Sequence, residues 1–203
     1  PGADQSVPAE PITLQLPAWI PGSYLIRNFA RHLATLTAHD QDGELTVTAI
    51  DKHSWHVQNR GKPITVRYQL YAFDLSVRAC YVNDQIAIIN PAACCLSVLG
   101  LEHCPQRLSV LPVTNKPNWQ VATGLQRIGK TALLGFGDYL ATDYPQLIDS
   151  PLLLGEIAYR SFDLAGIRHH LVFTGAVLAD LARIERDLLL ICQQQAAVFG
   201  GLP

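Results

Sequence analysis

The stretch Ile64-Thr65-Val66-Arg67-Tyr68-Gln69-Leu70-Tyr71-Ala72 alternates along its whole length. Ile64, Val66, Tyr68, Leu70 and Ala72 fall on one face, and Thr65, Arg67, Gln69 and Tyr71 on the other. Successive strand side chains point to opposite faces, so a sustained period of two is the pattern of a half-buried β-strand. The same texture extends in both directions. Residues 12–16 alternate before Pro17 and Pro21-Gly22 break the run. Ala34, Leu36 and Ala38 share a face, Asp42-Gly43 is a hairpin turn, and Leu45, Val47 and Ala49 resume the period. Asn59-Arg60-Gly61 makes another turn, and further strands are expected near 77–81, 86–89, 108–113, 119–123 and 158–164. With 13 Pro and 14 Gly as punctuation, residues 1–165 read as a mainly β domain, an antiparallel sandwich or saddle-like sheet.

The texture changes after Ala165-Gly166. Residues 167–173 make one more strand, and then Val177, Leu181, Ile184, Leu188 and Ile191 recur at helical spacing. Thr174 is a candidate N-cap, and Gly200-Gly201 suits a helix stop. Residues 166–203 are therefore expected to be a strand and an amphipathic helix whose packing partner is either the sheet or a domain outside this chain.

Composition removes several function classes. The 203 residues are 49% hydrophobic and 16% charged, which excludes a disordered tail. Fifteen Lys+Arg against seventeen Asp+Glu leave a net charge of −2 with no block of one sign. Nucleic acid and an anionic membrane surface both call for a basic stripe, so neither is expected as a partner. No apolar run approaches the roughly 18 residues of a membrane span, and no cleavable signal pattern opens the chain, so a cytoplasmic location is expected. The chain opens on Pro1, contains no methionine and stops directly after the helix, so it is expected to be a fragment.

Gly124-Leu125-Gln126-Arg127-Ile128-Gly129-Lys130-Thr131 matches a phosphate-binding loop, in which backbone N–H groups cradle phosphates. Such a loop must run directly into a helix, whereas Gly135 and Gly137 follow closely here, so a glycine-bounded hairpin is the expected reading. Cys94, Cys95, His103 and Cys104 are the one soft-ligand cluster, but adjacent ligands on a strand point apart and zinc is not expected there. His169-His170 sits on the strand before the helix, either structural or lining a cleft. No nucleophile elbow, paired-carboxylate pattern or His-Glu-x-x-His appears. Trp19-Ile20-Pro21-Gly22-Ser23-Tyr24-Leu25-Ile26-Arg27-Asn28-Phe29-Ala30-Arg31 places aromatics, arginines and a Pro-Gly turn between strands, a composition typical of binding loops.

That last stretch resembles the opening signature of the glycyl aminopeptidase family (peptidase family M-sixty-one), zinc metallopeptidases that usually carry a PDZ domain. Asp51-Lys52-His53-Ser54-Trp55, Tyr71-Ala72-Phe73-Asp74-Leu75-Ser76-Val77-Arg78, Trp119 with Val121-Ala122-Thr123, and Leu147-Ile148-Asp149-Ser150-Pro151 are similar to its later blocks, in order. Gln193 to Phe199 with Gly200 resembles the helix that precedes the catalytic core. The chain departs from the pattern after Arg78 and at Asn90-Pro91-Ala92.

The resemblance implies a non-catalytic N-terminal part of an aminopeptidase that removes small N-terminal residues, with residues 1–165 as its N-terminal β domain and residues 166–203 as the first strand and helix of a truncated, thermolysin-like α+β catalytic domain. It implies no catalytic or metal residue in this chain, zinc only in the full-length parent, and a peptide substrate and the missing catalytic domain as partners. Ser23, Tyr24 and Arg27 would lie on the face toward the substrate cleft, and exposed apolar surface would favour self-association. The alternative is a stand-alone β-sandwich module that binds peptide by edge-strand pairing. A phosphate-loop nucleotide-binding protein is the remote one.

Overall fold

The computed structural model describes residues 10–76 and 78–201. The first layers come from β1 (Ile12–Gln15), β2 (Leu33–Asp40), β3 (Gly43–Leu45), β4 (Val47–Ala49), β5 (Ser54–Val57) and β6 (Thr65–Leu70). The strand 64–72 is β6, hydrogen-bonded to β2 in the antiparallel sheet β3-β2-β6. β4, β5 and β1 join β9 (Ser97–Val98) in a second sheet of order β4-β5-β1-β9. Leu14 and Val57 of this sheet meet Ala38 and Leu45 of the first in one buried cluster, which is where alternation turns into a core.

Two details differ from the sequence reading. Ala34 and Leu36 do not share a face, because the β2–β6 register shifts between them at Thr35, which carries φ 45°. One extra residue in a strand reverses the facing of everything beyond it, and Ala34 is accordingly exposed while Ala38 is fully buried. Leu45 and Val47 do not continue one strand either: β3 pairs with β2 and β4 with β5, so the chain changes sheet at Thr46.

The second half of the body holds β7 (Tyr81–Val82), β8 (Ile86–Ile89), β10 (Gln106–Val110), β11 (Gln120–Thr123), β12 (Gln126–Ile128), β13 (Gly137–Ala141), α1 (Tyr144–Ile148) and β14 (Leu152–Gly155). They form the antiparallel sheets β11-β14-β8-β7 and β10-β13-β12. Val121, Leu152 and Leu154 pack against Tyr139, Ala141 and Leu147 in the largest buried cluster. Between the two halves, Leu16, Phe29, Cys80, Ala92 and Ala93 form a third cluster, against which Trp55, Leu70 and Ile148 pack. Of the strand expected at 77–81, Val77 lies outside the described residues, Arg78 and Ala79 turn, and the β7 ladder begins at Tyr81.

The rest is β15 (Ile157–Leu164), β16 (Ile167–Thr174) and α2 (Leu181–Phe199), with α2 packed on β15. β15 and β16 pair through eight residue pairs as a two-stranded antiparallel sheet. Ala165 (φ 50°) and Gly166 (φ 81°), the expected domain boundary, make its turn. The helix starts later than Thr174, whose hydroxyl donates to Glu156 O (3.2 Å) at the end of β16. Asp180 is the cap instead, its carboxylate accepting from Arg183 N at 3.0 Å. Gly200 ends the helix with φ 76°. Val177 therefore precedes the helix and Ile191 is exposed, while Leu181, Ile184, Glu185, Leu188, Leu189, Cys192 and Ala196 are the partly covered positions.

Candidate functional site

Two neighbouring loops are built to hold their tips still. In the first, Pro21 and Gly22 (φ 76°) occupy the middle of a turn closed by Ser23 N donating to Ile20 O at 3.1 Å. Proline second and a left-handed glycine third is the residue order that a type II turn requires. Trp19 Nε1 donates to Ser23 O (2.7 Å), Ser23 Oγ donates to Leu25 O (2.8 Å), and Arg27 Nε donates to Ser23 Oγ (2.9 Å). Arg27 N reaches back to Ala18 O at 2.7 Å, and Asn28 adopts φ 48°. The base is thus over-determined, and Tyr24, Leu25 and Ile26 are pushed outward: Tyr24 is fully exposed and the other two about two-thirds exposed.

The second loop follows β6. Val82 N donates to Ala72 O (2.8 Å) and Asp74 N to Cys80 O (3.1 Å), while the Phe73 and Tyr81 rings lie 5.0 Å apart. Asp74 accepts from Ser76 N at 2.9 Å, and this backbone hydrogen bond holds its carboxyl below the ordinary value. Three contacts tie this loop to the first. Tyr71 N donates to His32 O (2.8 Å), the His32 and Tyr71 rings stack at 6.0 Å, and Arg78 Nη2 donates to Gly22 O (2.9 Å). Tyr71, Phe73 and Leu75 are all more than half exposed. Two cross-braced loops thus expose six large apolar or aromatic side chains, Tyr24, Leu25, Ile26, Tyr71, Phe73 and Leu75.

Of the three residues singled out by sequence, Tyr24 is at the tip, whereas Ser23 and Arg27 are its support. Ser23 is buried (7% exposed) and its hydroxyl already donates and accepts, so it positions the loop. Arg27 is partly buried and forms no ion pair among the described residues. Reading the sequence alone missed Arg78, Tyr71 and Phe73. Their one signal was membership of a second motif, and nothing local says that residues 56 positions apart touch.

The other motifs fall into structural roles. In Asp51-Lys52-His53-Ser54-Trp55, Asp51 accepts from His53 N (2.8 Å), which holds its carboxyl low, and Leu16 N donates to His53 O (2.9 Å). The phosphate-loop match is overturned. Gln126–Ile128 is strand β12, no helix follows, and Thr131 Oγ1 is engaged with the backbone of Asp138. His169 stacks on Phe162 (4.8 Å), and His170 Nδ1 lies 2.8 Å from Tyr159 Oη. A largely apolar cavity of about 960 Å³ separates the Ala122–Leu153–Ile88 row of the β11-β14-β8-β7 sheet from His170 and Val172 of β16. Among the described residues no three His, Cys, Asp or Glu side chains converge to hold a metal ion. No described helix is long and apolar enough to cross a membrane.

Comparison with known proteins agrees with this fold. Residues 4–156 match the family model of the peptidase M61 N-terminal domain. A solved structure, an aminopeptidase N family protein from Idiomarina loihiensis, superposes with a TM-score of 0.91 at 39% sequence identity. The match covers 95% of this chain and 32% of that one, so this chain spans about a third of its length. No curated protein matches.

Proposed function

The chain belongs to the peptidase M61 N-terminal domain family, and on that premise we propose that it is the non-catalytic N-terminal portion of a zinc-dependent aminopeptidase acting on peptides with small N-terminal residues such as glycine. The 18–32 and 71–82 loops form one wall of that enzyme's substrate cleft. The observation that carries this reading is the exposed Tyr24-Leu25-Ile26 tip on a base fixed by Trp19, Ser23, Arg27 and Arg78. Exposing three large apolar side chains is unfavourable by roughly 25 cal/mol per Å² of apolar surface, and a rigid base holds them ready to meet a partner without an ordering cost.

The described residues do not fit the zinc that the resemblance implies, and no metal ligand or proton-transfer step is assigned to them. What they contribute is position: Tyr24 as a contact, Arg27 and Ser23 as its support, and the neighbouring apolar side chains as a water-excluding rim. We read the hairpin β15–β16 with α2 as the start of the next domain, with the boundary at Glu156/Ile157 rather than at 165/166, and two observations support this. The family match ends at 156, and β15 pairs with β16 alone among the described strands.

The test is Tyr24→Ala in a protein that carries this chain together with the remaining two-thirds. The expected result is a fall of about tenfold in kcat/KM on a glycyl peptide, with an unchanged Tm because the side chain is fully exposed. An unchanged kcat/KM would show that the loop lies away from the cleft.

A further inference from the structure

Five cysteines are present, and three of them meet at the seam between the two halves of the body. Cys80 precedes β7, and Cys94-Cys95 follows the 3-10 turn Pro91–Ala93 that Asn90 caps. The Asn90 carbonyl oxygen accepts from Cys80 Sγ at 3.5 Å and from Cys94 Sγ at 3.4 Å, so both sulfurs converge on one atom. Cys94 Sγ lies 3.9 Å from Cys95 Sγ. Cys80 is 4% exposed, whereas Cys94 and Cys95 keep partial access to solvent.

The backbone beneath the trio is clamped from both sides. Tyr68 Oη of β6 donates to Cys94 O (2.6 Å), and Tyr144 Oη of α1 donates to Cys95 O (2.7 Å). Burial raises both phenols well above their ordinary value, so they stay protonated donors. Cys94 N and Cys95 N both donate to Pro91 O, at 3.1 and 2.7 Å. Reactive groups fixed at close range react as though at high concentration. Nothing in the proposed cleft uses these thiols.

We propose that Cys95, Cys94 and Cys80 form a thiol relay through which a hydroperoxide oxidises the protein to a buried Cys80–Cys94 disulfide. Cys95 gives up its thiol proton and its thiolate attacks the peroxide; the O–O bond breaks, Cys95 becomes a sulfenic acid, and the leaving hydroxide or alkoxide takes up that proton as water or alcohol. Cys94 sulfur then attacks Cys95 sulfur, the S–O bond breaks, and water departs with the Cys94 proton. Finally the Cys80 thiolate attacks Cys94 sulfur and releases the Cys95 thiolate. Two electrons leave the thiols and reduce one peroxide to two hydroxyl products. The hydrogen bond from Cys94 lowers both flanking thiols, which favours the thiolate at Cys95, where the peroxide enters, and at Cys80, the final attacker.

The third step follows from geometry. A bond between adjacent cysteines closes a small ring against a backbone already held by two tyrosines, whereas Cys80 and Cys94 lie on different segments and their sulfurs meet at the Asn90 carbonyl. Because Cys80 O accepts from Asp74 N (3.1 Å), the disulfide would fasten the base of the 71–82 loop to the Pro91–Ala93 turn.

The experiment treats the full chain, in a Cys104→Ser/Cys192→Ser background, with hydrogen peroxide under native conditions. Unfolding, alkylation, digestion and mass spectrometry follow. The expected product is a Cys80–Cys94 linked peptide with Cys95 alkylated. Cys95→Ser should reach the same product at least about tenfold more slowly, and Cys80→Ser should stop at a Cys94–Cys95 bond. Circular dichroism checks that each variant is folded, and mapping of the unmutated trio decides by itself if one is not. Three alkylated thiols, or Cys95 sulfinic acid without a linkage, overturns the proposal. So does an unslowed Cys95→Ser variant.

Discussion

Residues 10–156 and residues 157–201 are both made of well-patterned elements, yet only the first set is buried. The body gathers its side chains into three clusters, with Leu16, Ala38, Val57, Ala92 and Ala141 fully enclosed. From Ile157 onward a single residue, Phe162, is buried. Helix α2 has an N-cap, a left-handed glycine end and 19 residues, but no buried side chain, and Leu190, Ile191, Val198 and Phe199 face solvent. Local signals are thus complete in both regions, and burial separates them. Most helix stability comes from packing an apolar face, so the tail is well formed but weakly anchored, with the 960 Å³ cavity left between β16 and the body.

The comparison breaks most clearly under truncation. Leu16→Ala should cost about 2–5 kcal/mol of unfolding free energy in urea titration, because Leu16 is wholly enclosed where the two halves meet. Leu188→Ala in α2 should cost less than about 1 kcal/mol, and equal costs would erase the distinction. Amide exchange sharpens it next. The α2 amides should exchange at least about a hundredfold faster than those of β11 and β14, since they open without unfolding the core. Third, Asp180→Ala should lower the stability of α2 by about 1 kcal/mol. It should be read as lost ellipticity with the body's transition unmoved.

The smallest effect is electrostatic. The Arg107 guanidinium (2.7 Å), with the Ser109 hydroxyl second, holds the Asp138 carboxyl below its ordinary value. A depressed carboxylate stabilises the fold above its unfolded pKa, and that contribution fades as pH falls through the folded one. Asp138→Asn should therefore slightly lower Tm at neutral pH, and the difference from the parent should shrink on acidification and in high salt.

How much was legible beforehand varies by element. Strand β8 was readable to the residue, and β6, β15 and β16 nearly so, because alternation or an apolar run stood between clear turn residues. β13 and β14 were not. One opens on Gly137, and the other, Leu152–Gly155, is a leucine run with no period. β5 was hidden inside a motif. At the candidate site, the Trp19–Arg31 loop stood out by composition, but Ser23 proved to be support rather than contact. The partnership with Arg78 had no local signature at all.

By itself the sequence determined the mainly β character, the terminal helix with its glycine stop, the turns at Pro21-Gly22 and Asp42-Gly43, and the family. These depend on side-chain periodicity and on residues whose backbone preferences act within a few positions. Only the tertiary structure decided the bulge at Thr35, the change of sheet at Thr46, the bracing of one loop by Arg78, and the meeting of three thiols on the Asn90 carbonyl. Each of these joins segments far apart in the chain. Such contacts form only where burying distant apolar faces together offsets the entropy of closing the loops between them.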